Sequence, residues 1–244
     1  MDKIRLDQLL VIQKLVESRE KAQKLIYSGF VFVNGTLSTK PGHRYNKDSE
    51  IKIKQKEKFV SRGGLKIEEA YKKFNFEIQN NICMDIGSST GGFTDFLLQK
   101  EAAKIYAIDC GTNQLHWSLR TNDKVKVMEK TNARYLSKKD IPELIDLCTI
   151  DVSFISLKKI LPVVSNLVKE NGSIISLIKP QFEAGKHEVG KGGLITNPDV
   201  HKKVIDNIKN FGINEIGLRW IDLCPSPIKG PAGNIEFLAY WKNF

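Results

Sequence analysis

The chain's 244 residues are enough for one large folded domain with a smaller one attached, and 41% hydrophobic with 27% charged residues exclude a disordered polymer. Lys and Arg outnumber Asp and Glu by 38 to 28, so the chain carries +10 and points to a polyanionic partner, either nucleic acid or an acidic membrane surface. No apolar run reaches the roughly 20 residues of a membrane helix, and Cys83, Cys110, Cys148 and Cys224 are too widely spaced for a zinc ribbon or Cys-x-x-Cys redox site, so no metal is expected. The cysteines read as buried free thiols of a reducing compartment. MDKIRLDQLL intersperses charges with apolar residues and does not read as a signal peptide, so a cytoplasmic, membrane-free protein is expected.

The basic excess is uneven. Residues 1–60 hold 13 Lys/Arg against 7 Asp/Glu, a net of +6, and the remaining 184 residues supply +4. This asymmetry suggests a basic module over residues 1–58 in front of a nearly balanced one over 59–244. In the first module, Leu6, Leu9, Leu10 and residues 13–15 carry helical spacing. Ser18 reads as an N-cap for a second helix with Ala22, Leu25 and Ile26 on its apolar face and Gly29 closing it. Phe30-Val31-Phe32-Val33 leads into Asn34-Gly35, a strong hairpin signal. Lys40-Pro41-Gly42 turns the chain, and Ile51 and Ile53 alternate with lysines as a half-buried strand. Arg19, Lys21 and Lys24, helped by Arg5 and Arg44, form a candidate phosphate-binding face. The run IRLDQLL…SREKAQKLIYSGFVFVNG…KPG…IKI resembles the S4-type RNA-binding domain. The resemblance implies recognition of RNA shape and phosphates rather than bases. The polar run Lys54-Gln55-Lys56-Glu57-Lys58 reads as the linker.

Beyond it, apolar runs alternate with amphipathic stretches. Strands are expected at 82–86, 105–109, 125–128, 147–152 and 174–178, with two later ones near 215–223 and 235–240. Helices are expected at 93–99, 157–168 and 198–209. This alternation implies an open, mostly parallel α/β sheet covered on both faces, with the last strands added antiparallel. Ligands of such sheets bind beyond the carboxyl ends of the strands.

The first of these strands ends in a loop of Asp85, Gly87, Ser88, Ser89, Thr90, Gly91, Gly92, Phe93 and Thr94. Twenty-two residues after Gly87, Asp109 ends the next strand and is placed to accept hydrogen bonds from both hydroxyls of a ribose. The spacing Gly87…Gly91-Gly92 departs from the dinucleotide pattern. The loop and strand-end acid together resemble S-adenosylmethionine-dependent methyltransferases, with Asn132 the nearest candidate for the position that meets the adenine. Residues 185–192, GKHEVGKG, match all but the last position of a Walker loop. Gly192 replaces the magnesium-binding Ser or Thr, so a glycine-rich loop over the active site is expected instead, with Lys186 and Lys191, like Arg62, facing RNA.

Asp151-Val152-Ser153-Phe154 stands where amino-group methyltransferases carry Asn/Asp-Pro-Pro-aromatic, and no cysteine is placed to attack a pyrimidine ring. Four charged residues remain near the expected strand ends, in apolar or glycine-rich contexts where unpaired charge is costly: Lys66, Asp151, Lys179 and Glu236. They resemble the Lys–Asp–Lys–Glu tetrad of the FtsJ-type ribose 2′-O-methyltransferases. That resemblance implies Lys179 as the base that deprotonates a ribose hydroxyl and Lys66 as the residue that tunes and orients it. Asp151 would hold Lys179 beside the donor methyl, and Glu236 would orient Lys66 or the ribose. An ionised Lys179 stabilising a developing alkoxide would use the same residues. The motifs SRGGLK, DIGSSTGGFTDFLLQ, TNAR, TIDVSFISL, KPQFEAG, VGKGG and PSPIKGPAGNIEF resemble the TlyA family over the whole chain. The resemblance implies a Rossmann-like seven-stranded S-adenosylmethionine-dependent methyltransferase with an N-terminal α+β S4-type domain. The implied partner is ribosomal RNA: a cytidine of 23S rRNA and, in some members, a second in 16S rRNA. Two other functions compete with this one: a membrane-active haemolysin, the label many members carry, and a non-catalytic ribosome assembly factor. The first would need a secretion signal or membrane-active segment; the second would have no need of the tetrad.

Overall fold

The computed structural model describes residues 3–54 and 57–244; Met1, Asp2 and the linker residues Gln55 and Lys56 lie outside the described residues. The chain divides into two compact units, Met1–Lys58 and Phe59–Phe244.

In the small unit, α1 (Leu6–Ile12) buries Leu6, Leu9 and Leu10. The helical spacing expected through residue 15 stops at Ile12, because Lys14 turns into the left-handed region at φ 57°. α2 (Arg19–Tyr27) starts at Ser18, whose Oγ accepts the Lys21 N–H at 3.2 Å, and ends before Gly29. β1 (Val31–Val33) and β2 (Thr36–Leu37) pair across Asn34 and Gly35, whose φ values of 50° and 78° suit the tight turn their residue types favour. β3 (Ile51–Ile53) pairs antiparallel with β1. A separate two-residue pairing sets Arg5 opposite Arg44.

The large unit opens with α3 (Gly63–Phe74) and continues as β4 (Ile82–Ile86), α4 (Gly92–Gln99), β5 (Lys104–Ile108), α5 (Trp117–Arg120), β6 (Val125–Met128) and β7 (Ile145–Ile150). Then follow α6 (Leu161–Leu167), β8 (Val168–Ile178), α7 (Pro180–Glu183), α8 (Pro198–Phe211), β9 (Arg219–Pro225) and β10 (Phe237–Lys242). The seven-stranded sheet has the order β9-β10-β8-β7-β4-β5-β6. Neighbours from β8 to β6 are parallel, and β10 runs antiparallel to both β8 and β9. The twofold side-chain alternation of strands feeds two cores. Met84 and Ile86 of β4 pack on one face with Val164 of α6 and Val204 and Ile208 of α8. Cys83 faces the other side with Ile67 of α3 and Phe96 and Leu97 of α4.

Three expectations are corrected. The helix expected over 157–168 is broken into a short 3₁₀ turn, Leu157–Lys159, and α6, because Pro162 opens a new helix rather than extending the old one, and Val168 already begins β8. Residues 215–216 belong to a wide turn, Gly212–Ile216, that prolongs α8, so β9 starts only at Arg219. Cys110 is exposed, two residues beyond the end of β5, while Cys83, Cys148 and Cys224 are buried free thiols.

Candidate active site

The topology gathers four charges at one end of the sheet, beyond the carboxyl ends of its parallel strands. β7 and β8 are parallel neighbours, so Asp151 and Lys179, each one residue past its strand, emerge side by side. β10 is antiparallel, so its first residues, with Glu236 just before them, start at that same end. Lys66 arrives from the first turn of α3.

The four side chains alternate in sign. Lys66 Nζ lies 2.7 Å from Glu236 Oε2 and 3.5 Å from Asp151 Oδ2. Lys179 Nζ lies 2.6 Å from Asp151 Oδ1, off that oxygen's hydrogen-bond axis, and donates to Ser153 Oγ at 2.8 Å. Glu236 is 1% exposed and both lysines 8%. Two buried cations are tolerable here because two carboxylates bracket them. Gln181, on α7, donates to the other Glu236 oxygen at 3.5 Å. Phe154, 91% exposed and at φ 61°, leans on Phe182 at 4.9 Å between ring centroids, and Phe182 lies 5.9 Å from Lys179 Nζ. An exposed aromatic held in an unfavourable backbone conformation beside a charged cleft is an outlier suited to stacking a base.

Lys66 and Asp151 form one wall of a cavity of about 300 Å³. Gly87, Ser88, Ser89, Thr90, Gly92 and Phe93 form the floor, and Ser61, Arg62 and residues 228–231 close the far side. Gly87 sits at φ 80°, and a Cβ there would fall 2.4 Å from the Asp151 carbonyl oxygen, so only glycine lets the loop rest against the end of β7. Backbone amides, an aromatic ring and a carboxylate around this volume fit a nucleoside cofactor bearing a cationic sulfonium.

Other expected cofactor residues do not line this cavity. Asp85 is fully buried; its carboxylate accepts from Thr94 Oγ1 at 2.7 Å and Thr149 Oγ1 at 2.9 Å, and burial pushes its carboxyl up to about 6. Thr94 is thereby held inward, and Gly91 packs against Leu119. Asp109 braces the loop, accepting from Ser89 N at 2.8 Å and Gly111 N at 2.7 Å. Asn132 is exposed and caps a short turn by accepting from Arg134 N at 3.2 Å. The acid at the end of β6 is Glu129, which accepts from the amides of Asn113, Gln114 and Leu115.

In the small unit the expected basic face divides. Arg5 and Arg19 converge on Asp7, at 3.1 and 2.8 Å, and Gln23 Nε2 joins them at 2.9 Å. Asp7 is fully buried, and the Arg5 guanidinium holds its carboxyl well below the usual range. Lys21 turns instead to Glu17 at 2.9 Å. Lys24 is exposed, and Arg44 donates to the Lys3 carbonyl at 2.9 Å. In the large unit, Arg62 donates to the Lys229 carbonyl at 3.4 Å, and Lys186 and Lys191 are exposed. No helix among the described residues is long and apolar enough to cross a membrane.

Comparison with known proteins places this geometry in a family. Residues 59–243 match the FtsJ-like methyltransferases and residues 4–51 match the S4 domain. Hemolysin A of Brachyspira hyodysenteriae is 41% identical, covering 98% of this chain and 99% of that protein. The 16S/23S rRNA (cytidine-2′-O)-methyltransferase TlyA of Mycobacterium tuberculosis is 36% identical over 98% of this chain and 90% of its own. A solved structure from Streptococcus thermophilus, provisionally named a hemolysin, superposes with a TM-score of 0.76 at 43% identity, covering 100% of this chain and 89% of that one. The chain therefore belongs to the FtsJ-like methyltransferases and, within them, to the TlyA proteins that carry an S4 domain.

Proposed function

We propose that the protein transfers a methyl group from S-adenosylmethionine to the 2′-hydroxyl of a cytidine in ribosomal RNA, acting in the cytoplasm on 23S rRNA, with 16S rRNA the second candidate substrate. The observation that carries this reading is the alternating row Glu236–Lys66–Asp151–Lys179 beside a glycine-floored cavity. When bound, S-adenosylmethionine supplies an electrophilic methyl group on a cationic sulfur. Residues 87–90 and Phe93 would hold it, and the Asp151 carboxylate would offer the cation a counter-charge.

The acceptor is a weakly acidic hydroxyl that must lose its proton as it attacks. In this reading Lys179 takes that proton, its Nζ held between Asp151 and Ser153 at the mouth of the site. Asp151 keeps the Lys179 amine aimed, and Glu236 fixes Lys66. The displacement is in-line, so orientation supplies much of the rate. Phe154 and Phe182 offer the extruded base a stacking surface. The Arg5–Arg19 cluster meets RNA phosphates, and Lys24, Lys21, Arg44, Arg62, Lys186 and Lys191 extend the contact.

Lys179→Ala tests the assignment. Methyl transfer should fall by at least about 10²-fold, the usual contribution of a positioned base, while calorimetric affinity for S-adenosylmethionine stays within a few-fold. Near-normal turnover would remove Lys179 from the chemistry.

A further inference from the structure

Residues 185–195 are rich in glycine, and Gly192 and Gly193 both sit at positive φ, 74° and 78°. Such a segment is expensive to hold in one shape. Two anchors hold it. Glu188 accepts from Gly185 N at 2.9 Å and from Lys203 Nζ of α8 at 2.8 Å, pinning the loop's first half. The second half is gripped by Asn234, whose side chain is buried, with 1% of the residue exposed. Asn234 Oδ1 accepts the Ile195 N–H at 2.8 Å, and its Nδ2 donates to the Gly193 carbonyl at 2.8 Å. These partners fix the amide's orientation, since a flip would set donor against donor and acceptor against acceptor. The Ile195 carbonyl in turn faces His201 Nε2 at 3.2 Å.

Asn234 stands two residues before Glu236, in a turn closed by Gly230 N–H to its own carbonyl at 2.9 Å and Ser226 N–H to the Glu236 carbonyl at 2.8 Å. The segment that carries Glu236 therefore also carries the clasp of the glycine-rich loop. Neither Asn234 nor the loop lines the cofactor cavity.

We propose that Asn234 is a positioning residue that locks loop 185–195 to the Glu236 segment, holding Lys186 and Lys191 in register with the tetrad. The role in RNA engagement rests on the methyltransferase reading above; the lock itself does not.

The test uses the full chain and two variants. Asn234→Ala removes both bonds. Asn234→Asp keeps the shape but sets a carboxylate oxygen against the Gly193 carbonyl; only its protonated form restores the donor. Trypsin should cut at Lys186 and Lys191 at least about tenfold faster in Asn234→Ala than in the unaltered chain, the loss of two net hydrogen bonds. In Asn234→Asp, the excess rate over the unaltered chain at the same pH should be large at pH 8 and shrink toward pH 6. S-adenosylmethionine affinity should hold in both, while KM for ribosomal RNA rises more than kcat falls. Cleavage at the unaltered rate in both variants overturns the lock. So does a pH-independent excess in Asn234→Asp, or parallel loss of cofactor binding, which would mark a general packing role. If cleavage follows the lock but the unaltered chain methylates no RNA, the lock stands and the functional reading falls.

Discussion

Asp85 shows how one buried residue braces the loop expected to hold the cofactor. Its two oxygens hold Thr94 of α4 and Thr149 of β7, so the strand below the loop and the helix after it are tied at one buried point. Burial favours the neutral acid and moves the folded carboxyl from the ordinary 3.8 to about 6. A folded value raised above the unfolded one contributes stability below pH 4 and loses that contribution as pH rises through 6. Asp85→Asn cannot ionise, so it should match the unaltered chain near pH 4 and become the more stable of the two above pH 6. The gap should approach about 3 kcal/mol in denaturant titrations. A gap that is constant across pH would contradict the buried-acid account. Cys110 shows that an apolar run in the sequence does not ensure burial, because its own position falls just beyond the strand.

At the scale of elements, α1 and α2 share a feature that charge counting misjudges. Asp7 removes one unit of positive charge from a basic module, yet it aligns Arg5, Arg19 and Gln23. Asp7→Asn makes the module more cationic, so bulk electrostatics predicts tighter RNA binding. Pre-organisation predicts the reverse: affinity for ribosomal RNA should drop about tenfold, the worth of one charge-assisted contact. Melting of the small unit, followed by circular dichroism, separates this from unfolding, and tighter binding would refute the alignment.

The same contrast marks what was legible in the sequence. The strands announced themselves by apolar runs, and Asp151 and Lys179 stood out because each ends such a run. Ser18, Gly29 and Asn34-Gly35 have residue types tied to one backbone geometry, and they occupy it. Asp7 was hidden because its burial depends on an arginine 12 residues later, closing over it only in the folded unit. Asn234 and the cavity wall at residues 228–231 lie in loops with no periodicity to read. The part that Asp85 and Asp109 play in bracing the loop, through Thr94, Thr149 and the Ser89 amide, was not legible because residue type and spacing do not specify which neighbours a strand-end acid holds.

Over the whole molecule, the two units divide the charge as they divide the work. Residues 1–60 hold +6 of the chain's +10. In the large unit, Lys66 and Lys179 are drawn in at the carboxyl ends of the strands by Asp151 and Glu236. On the proposed reading the S4 domain anchors the RNA, and the FtsJ-like domain is where one hydroxyl meets one methyl group. The measurement that tests this most directly is transfer of isotopically labelled methyl from S-adenosylmethionine to purified ribosomal subunits, followed by mass-spectrometric mapping of the modified nucleotide. The account predicts label on the 2′-oxygen of a cytidine with the unaltered chain and none with Lys179→Ala. Label on a base, or none on either subunit, would contradict it.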